Sequence, residues 1–256
     1  MVNQRAVAFG VASKLNFNET TGIGVEGWWL IPSNARGSEQ ESLTTTVNIG
    51  TGTTPVFVTI TGPAGTNWDT RPDWWFIDGR LACTPIWRNS TFLAGFRYDH
   101  FSTRLQFPSG AFGFPSPLVS GSDAGDITVN SYIPYVGLQY NAVASGGSYL
   151  TLWALFWPWV PADVKFGETF LGPVRADAGA NFNKRGYFFE FFGQYDCNIY
   201  AGSSVGAFFR WNVLSGRGDI NTSFAPSGLS VGDKFTFDRN TVTFGGQVSL
   251  NFDVPY

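Results

Sequence analysis

Residues 239–254 read RNTVTFGGQVSLNFDV, and this stretch decides the fold. Every second residue from Val242 to Val254 is apolar or glycine, and the residues between them are polar or glycine. Because successive side chains of a β-strand point to opposite faces, the stretch predicts a strand with one apolar and one polar face. It is also longer than the roughly 5–6 residues of an average strand in a soluble protein.

The same alternation recurs along the chain, with breaks at clusters of glycine, proline and small polar residues. It predicts ten strands, at about 6–17, 22–32, 42–61, 73–87, 91–107, 128–141, 148–158, 186–199, 203–215 and 236–253. Twelve strands result if 42–61 is split, where the alternation slips, and if 164–171 is a strand of its own. Both counts are even, which suits antiparallel strands in a closed barrel.

The composition argues against an ordinary soluble domain. Charged residues make up 14% of the 256 residues, against roughly 25% in such domains, while aromatic residues reach 17%. The aromatic content also excludes intrinsic disorder. A net charge of −3, without a block of like charges, excludes a general nucleic-acid-binding protein.

A β-barrel that crosses a membrane accounts for both the pattern and the composition. The sequence has no run of 18 or more apolar residues, so it predicts no membrane-spanning helix. Strands with one apolar face suit a barrel whose outside meets lipid, because closure of the sheet pairs every backbone group. We therefore predict an all-β fold, a closed antiparallel up-and-down transmembrane β-barrel of ten strands, with twelve as the alternative.

Short and long connections alternate along the chain in this prediction. The long ones lie at about 62–72, 108–127, 159–185 and 216–235. Transmembrane barrels of bacteria have short turns at the periplasmic end and longer loops outside the cell. We therefore expect residues 1–256 to form a single barrel domain with these four segments as extracellular loops.

The carboxyl-terminal strand carries the spacing polar-x-Gly-x-x-apolar-x-apolar. Its four positions are Thr243, Gly245, Val248 and Leu250. The spacing is similar to the signal read by the assembly machinery of bacterial outer-membrane β-barrel proteins, although the final aromatic is Tyr256 rather than phenylalanine. The resemblance to this class implies a bacterial outer-membrane location and a signal peptide absent from this chain. It implies outer-membrane lipid, lipopolysaccharide and the assembly machinery as partners, and leaves a homo-oligomer or a surface partner open.

His100 is the only histidine, and Ser102 follows it at a spacing that places both on one face of a strand. The His-x-Ser spacing resembles that of outer-membrane phospholipases and lipid A deacylases, in which histidine activates serine to attack an ester. Phe96 and Tyr98 set a lipid-facing phase that His100 and Ser102 continue, although Thr103 stands where those families usually have asparagine. A reversal of the phase beyond Tyr98 would turn both residues inward. We favour an interfacial or structural histidine, with no catalytic residue assigned.

Acidic residues in the run 67–75 form a second pattern. Asp69 and Asp73 resemble the paired acids of omptin proteases, which are ten-stranded barrels of similar size. Those enzymes also need an Asp–His pair on a facing loop, and this chain has no second histidine. We therefore expect Asp69, Arg71 and Asp73 to form a surface charge network.

The charged residues of the polar faces predict what lines the barrel lumen. The charged residues that the alternation assigns to the inner faces of the strands are Lys14, Glu26, Asp78, Arg80, Arg97, Asp99, Glu190, Asp196, Arg210 and Arg239. Both signs are present, so ion pairs that fill a narrow lumen are favoured over a porin-like pore, because unpaired buried charge is costly. No metal site and no cofactor are predicted, since Cys83 and Cys197 cannot supply a four-ligand zinc site.

These observations together predict a non-enzymatic integral outer-membrane barrel with a structural, surface-interaction or narrow-pore role. Its aromatic residues are expected to form girdles at the lipid interfaces. The alternative is an outer-membrane lipid ester hydrolase with Ser102 as nucleophile and His100 as base. A second alternative is a soluble β-sandwich that serves in binding or capsid assembly.

Overall fold

A computed structural model gives the structure of the chain. It describes residues 2–3, 7–18, 20–31, 35–39, 44–48, 57–61, 66–84, 89–106, 123–144, 147–169, 175–200, 203–225 and 229–250. All regular elements in these ranges are β-strands, and none of the ranges contains a helix long and apolar enough to cross a membrane.

The strands are numbered in chain order. They are β1 (Val2–Asn3), β2 (Ala8–Asn16), β3 (Thr21–Leu30), β4 (Ala35–Glu39), β5 (Thr44–Asn48), β6 (Phe57–Thr61), β7 (Thr66–Cys83), β8 (Ser90–Gln106), β9 (Asp123–Ala144), β10 (Ser148–Trp157), β11 (Ala162–Thr169), β12 (Arg175–Tyr200), β13 (Ser203–Ala225) and β14 (Leu229–Leu250). Several are far longer than the roughly 5–6 residues typical of soluble sheets, as the alternation predicts.

One antiparallel sheet contains all strands except β5 and β6. Its long strands pair in the series β2, β3, β7, β8, β9, β10, β12, β13 and β14, so most neighbours in the sheet are neighbours in sequence. β11 pairs with β9 and β12, the two partners of β10, and so continues the row of β10. The predicted all-β, antiparallel up-and-down barrel fold is confirmed. Among the described residues the rows number nine, and β2 and β14 are the two edges of the curled sheet.

The segment 42–61 differs from the single bulged strand that the alternation predicts. It contains β5 and β6, which pair with each other in a separate two-stranded sheet. The slip in the alternation lies between 49 and 56, outside the described residues, and the strands on either side of it pair with each other. The strand predicted at 164–171 does form, as β11, but it extends an existing row and adds none.

Much of what the pattern assigns to long loops is strand. β7 begins at Thr66, β9 begins at Asp123, and β13 continues to Ala225 before β14 starts at Leu229. In 216–219 the sequence is Gly-Arg-Gly-Asp, without an apolar side chain on either face of the strand. Apolar alternation arises only where one face meets lipid or a core, so the ladder continues where the sequence pattern no longer shows it.

The two faces of the sheet have opposite polarity. On β8, Arg97 and Asp99 are buried on the inner face, whereas Phe92 and Phe96 are about half exposed on the outer face (49% and 48%). The same exposure of large apolar side chains holds for Ile77, Leu81, Val136, Leu138, Phe156, Tyr187, Val242 and Phe244. Exposed apolar area on this scale marks a lipid or protein contact surface. A single curled sheet with its charges inside also excludes the soluble β-sandwich.

Side chains fill the concave interior in the part of the chain that the structure describes. The apolar cluster consists of Leu93, Ile133, Tyr135, Trp153, Leu155, Val160, Phe188, Phe192, Phe208 and Leu214. Trp153 and Phe192 stack with ring centroids 3.7 Å apart. The interior is therefore a packed core, as expected for a barrel not much wider than eight strands.

Gly95 lets the side chain of Tyr135 lie across β8 and reach Asp78 on β7. A Cβ atom on Gly95 would meet the phenol of Tyr135 and the carbonyl oxygen of Gly79. We predict that Gly95→Ala lowers the free energy of unfolding by about 1–3 kcal/mol, the usual effect of overpacking. Urea titration of the detergent-solubilised protein measures it. Gly79→Ala is the control, because a Cβ there has no atom within 4 Å, and equal unfolding midpoints for the two variants would contradict the prediction.

Candidate functional site

His100 and Ser102 lie on the outer face of β8. Asp99 and Thr103, which alternate with them, are buried on the inner face, and the ring of Phe101 contacts that of Phe237 inside. The phase set by the apolar residues earlier in β8 therefore continues without reversal through Arg104, the last residue of the strand whose side chain is described. The structure places both residues of the His-x-Ser pair where a lipid could reach them.

Asn130 on β9 pairs directly with His100 across the sheet and points to the same outer face. The Nδ1 atom of His100 lies 2.7 Å from Oδ1 of Asn130. Because an amide oxygen can only accept a hydrogen bond, Nδ1 carries the proton in this arrangement and Nε2 keeps its lone pair. In this tautomer Nε2 of His100 can act as a general base, while Asn130 holds the protonated Nδ1 in place.

Aromatic rings on the outer face pack beside the imidazole of His100. Trp75 on β7 stacks on His100 with centroids 5.2 Å apart and planes inclined by 28°. Tyr98 packs against Trp75 on one side and Tyr132 on the other, at 5.3 and 5.4 Å. The phenol of Tyr98 also donates a hydrogen bond of 2.9 Å to Oδ1 of Asn130. These contacts hold the imidazole of His100 in one plane and shield one of its faces.

Ser102 lies one outer-face position beyond His100, toward the end of β8. Its hydroxyl is 3.4 Å from that of Thr128, which pairs with it on β9. Residues two apart on a strand have Cα atoms about 7 Å apart, a distance that the two side chains can bridge. The described contacts include no hydrogen bond between His100 and Ser102. Catalytic hydrogen bonds are often long in unliganded sites and shorten when substrate binds.

The height of the pair matches the edge of an apolar band. From Phe92 to Ser102 the strand rises roughly 34 Å along its own axis, or about 26 Å along the barrel axis at a tilt of ~40°. The apolar band of a bacterial barrel is about 25 Å tall. If Phe92 lies near one edge of such a band, Ser102 lies at the other edge, at the depth of the ester groups of lipids.

Sequence reasoning identifies two members of this group and misses the third. Asn130 is a polar residue on the outer phase of β9, between Val129 and Ser131, which are buried on the inner face. That signal was present in the sequence. Its position opposite His100 depends on the register between β8 and β9, and the sequence does not reveal that register.

Asp73 lies directly opposite Ser102 on β7 and is exposed. It belongs to the expected charge network of Asp69, Arg71 and Asp73. The side chains of Asp69 and Arg71 are outside the described part of the structure, so the network stays a prediction. Within the described ranges, no three side chains of His, Cys, Asp or Glu are grouped in a way that could hold a metal ion.

The charged residues predicted to line the lumen lie on the inner face. Arg97 is at their centre: it donates from Nε to Asp78 at 3.0 Å and from Nη1 to Glu190 at 2.7 Å, and all three residues are fully buried. Tyr135 donates to Asp78 at 2.6 Å, and the indole of Trp153 donates to Glu190 at 3.1 Å. Each carboxylate of this pair thus has a cation and a neutral donor.

Glu26 on β3 links the charges around Arg97 to β13, on the opposite part of the curled sheet. Arg210 of β13 and Arg80 of β7 donate to its two oxygens at 2.8 and 2.9 Å. Since β3 and β13 are not neighbours in the sheet, the Arg210–Glu26 bond crosses the interior. The guanidinium of Arg210 also lies 4.9 Å from the ring centroid of Trp28.

Two smaller groups lie outside this centre. Arg239 makes two hydrogen bonds of 2.6 Å to Asp99, which also accepts from the indole of Trp74. Asp196 accepts from Gln194 and Gln247. Lys14 occupies an inner position on β2 but is exposed. The inner charges are therefore largely paired and packed among aromatic rings, and they resemble a core rather than the wall of an open channel.

The fold is similar to that of outer membrane protease OmpT from Escherichia coli. The superposition has a TM-score of 0.73 and covers 96% of this chain and 84% of that chain, at 13% sequence identity. At this identity the similarity shows the fold. No family model and no curated protein matches the chain in sequence.

The comparison corrects the function preferred from the sequence. A solved barrel with this fold is a protease by name, which contradicts the preference for a non-enzymatic structural, surface-interaction or pore role. Buried side chains fill the interior of the described part of the chain, so they do not form the open lumen that a pore requires. That prediction was wrong as a first choice.

Proposed function

We propose that the protein is an outer-membrane lipid ester hydrolase in which Ser102 is the nucleophile and His100 the general base. The observation that carries the proposal is the 2.7 Å contact between Nδ1 of His100 and Oδ1 of Asn130, on the same outer face as Ser102. A serine, a histidine and a residue that orients the histidine are the three parts of an activated nucleophile. Asn130 fills the third role.

The first half of the reaction forms an acyl-enzyme. The Oγ atom of Ser102 attacks the ester carbonyl carbon, and Nε2 of His100 takes the hydroxyl proton. The bond between that carbon and the alcohol oxygen then breaks, and His100 returns the proton to the leaving oxygen. The products of this half are a lipid alcohol and an acyl ester on Ser102.

The second half regenerates the enzyme with one water molecule. Nε2 of His100 takes a proton from the water, whose oxygen attacks the acyl carbon. The bond to Oγ of Ser102 breaks and the serine oxygen recovers the proton from His100. A fatty acid is released, and Asn130 holds the imidazole through all four proton transfers of the two half-reactions.

The surroundings of Ser102 suit a substrate that arrives through the bilayer. Below the site on β8 lie the exposed rings of Phe92 and Phe96, which suit acyl chains. Beyond it, Arg104 is exposed on the same face. This order of apolar, catalytic and charged positions along one strand follows the order of acyl chain, ester and headgroup in a lipid of the outer leaflet.

The purified protein in detergent tests the proposal. We expect it to release fatty acid from micellar phospholipid, and a fluorophosphonate probe, which labels activated serines, to modify Ser102 as located by mass spectrometry. Absence of both fatty-acid release and labelling in correctly folded protein would overturn the proposal.

Asn130→Ala should lower kcat by roughly a hundredfold, within the range that a correctly placed general base contributes. The substitution removes the acceptor of the Nδ1 proton and so allows the unproductive tautomer. Asn240→Ala is the matched control, because Asn240 is another outer-face asparagine, bonded to Trp211 and remote from His100. Fatty-acid release rates of the two variants provide the measurement, and similar rates would remove Asn130 from the mechanism.

A further inference from the structure

We infer that Tyr98 is a positioning residue that selects the base-competent tautomer of His100 by fixing the amide of Asn130. The catalytic meaning of this inference rests on the proposed function, whereas the tautomer itself can be observed without catalysis. The two contacts that carry it meet at one atom: Oδ1 of Asn130 lies 2.9 Å from the Tyr98 hydroxyl and 2.7 Å from Nδ1 of His100.

The orientation of the Asn130 amide decides which imidazole nitrogen is free. With Oδ1 toward His100, Nδ1 must donate and Nε2 is a base. With the amide reversed, its NH2 group would donate to Nδ1 and Nε2 would carry the proton, and an Nε2–H group cannot accept the proton of Ser102. Both orientations satisfy Asn130 and His100 equally, so the pair alone does not choose between them.

Tyr98 breaks this symmetry. The oxygen lone pair of a phenol is delocalised into the ring, which makes the hydroxyl a better donor than acceptor. A donor beside Asn130 favours the orientation in which Oδ1 faces both Tyr98 and His100 and accepts two hydrogen bonds. The reversed amide would instead bring its NH2 group against the hydroxyl and weaken that contact.

The position of Tyr98 is itself fixed by packing. It is half-buried on the outer face, between the rings of Trp75 and Tyr132. The hydroxyl therefore reaches Asn130 without ordering a free side chain, which keeps the entropic cost of the hydrogen bond low. Trp75 also stacks on His100, so the same ring limits the movement of both partners of Asn130.

Because His100 is the only histidine, selective ¹⁵N labelling gives the signals of one imidazole in the whole protein. At a pH where the ring is neutral, we expect the wild-type protein in detergent to show Nδ1 protonated and Nε2 unprotonated. Free histidine prefers the opposite tautomer, so this result is diagnostic. In Tyr98→Phe we expect the Nε2–H form to become the major species. Tyr132→Phe is the matched control, since it removes a neighbouring phenol hydroxyl on the same face, and it should leave the wild-type spectrum unchanged.

Hydrolysis measured on the same samples separates this inference from the proposed function. Tyr98→Phe should lower kcat at least tenfold, with KM nearly unchanged, because it alters the base and not the lipid contacts. A wild-type spectrum with Nε2 protonated, or a Tyr98→Phe spectrum equal to that of wild type, would overturn the inference even if the protein hydrolyses lipid. The expected spectra without any Ser102-dependent hydrolysis would support the positioning role of Tyr98 and overturn the proposed function.

Discussion

Ser102→Ala is expected to lower the rate of fatty-acid release by a factor of roughly 10³ or more, the usual effect of removing a catalytic serine. The substitution removes one oxygen from an outer-face position, where the hydroxyl lies 3.4 Å from that of Thr128. It therefore removes the nucleophile with little effect on packing. Release of fatty acid from micellar phospholipid, at saturating substrate, measures the loss.

The control for this variant is Ser13→Ala. Ser13 is an exposed residue at an outer-face position of β2, where it pairs with Val25, so the substitution changes a serine in a similar setting away from His100. Both variants should retain the heat-modifiable gel mobility of a folded barrel. If Ser102→Ala hydrolyses lipid as fast as Ser13→Ala, Ser102 is not the nucleophile.

His100→Ala provides an internal check on the same step. A nucleophile and its base act as one unit, so the double variant of Ser102 and His100 should be no slower than the slower single variant. Independent roles would instead multiply the two losses. Additive losses of transition-state stabilisation would therefore show that His100 does not act on Ser102.

The sequence predicts the faces of this sheet well because polarity alone determines them. Alternation places Arg97 inside and Phe96 outside, and the structure agrees at both positions. A residue's face depends only on whether its side chain meets lipid or the interior, and both conditions leave a period of two in the sequence. For His100 the alternation allowed either face, because the phase could reverse beyond Tyr98, and the structure shows the outer one.

Register and long-range partners are not encoded in this period. Asn130 becomes part of the site because it pairs with His100, and Arg210 meets Glu26 only because the sheet curls. A shift of two residues between β8 and β9 would leave every face unchanged and would separate Asn130 from His100. The pattern therefore predicted the strand that carries His100 and Ser102, whereas the face of the pair and the position of Asn130 opposite His100 came from the structure.

Arg97→Met is expected to lower the free energy of unfolding by about 3–5 kcal/mol, the usual effect of breaking a buried ion pair on one side. The substitution leaves the carboxylates of Asp78 and Glu190 buried without the cation that bridges them. Tyr135 and Trp153 still donate to these carboxylates, but neutral donors do not replace the lost charge. Urea titrations in detergent or lipid vesicles, followed by tryptophan fluorescence, measure the change.

Two further variants decide whether charge or volume causes this loss. The triple variant Arg97→Met, Asp78→Asn and Glu190→Gln removes the three charges that meet at Arg97 and keeps their approximate shape, while Glu26 remains paired with Arg80 and Arg210. It should recover part of the stability, because neutral replacements of buried ion pairs are often tolerated. Arg104→Met alters an exposed outer-face arginine on the same strand and should shift stability by less than about 0.5 kcal/mol. If the triple variant is as unstable as Arg97→Met, packing around the arginine stem stabilises the interior and the ion pairs do not.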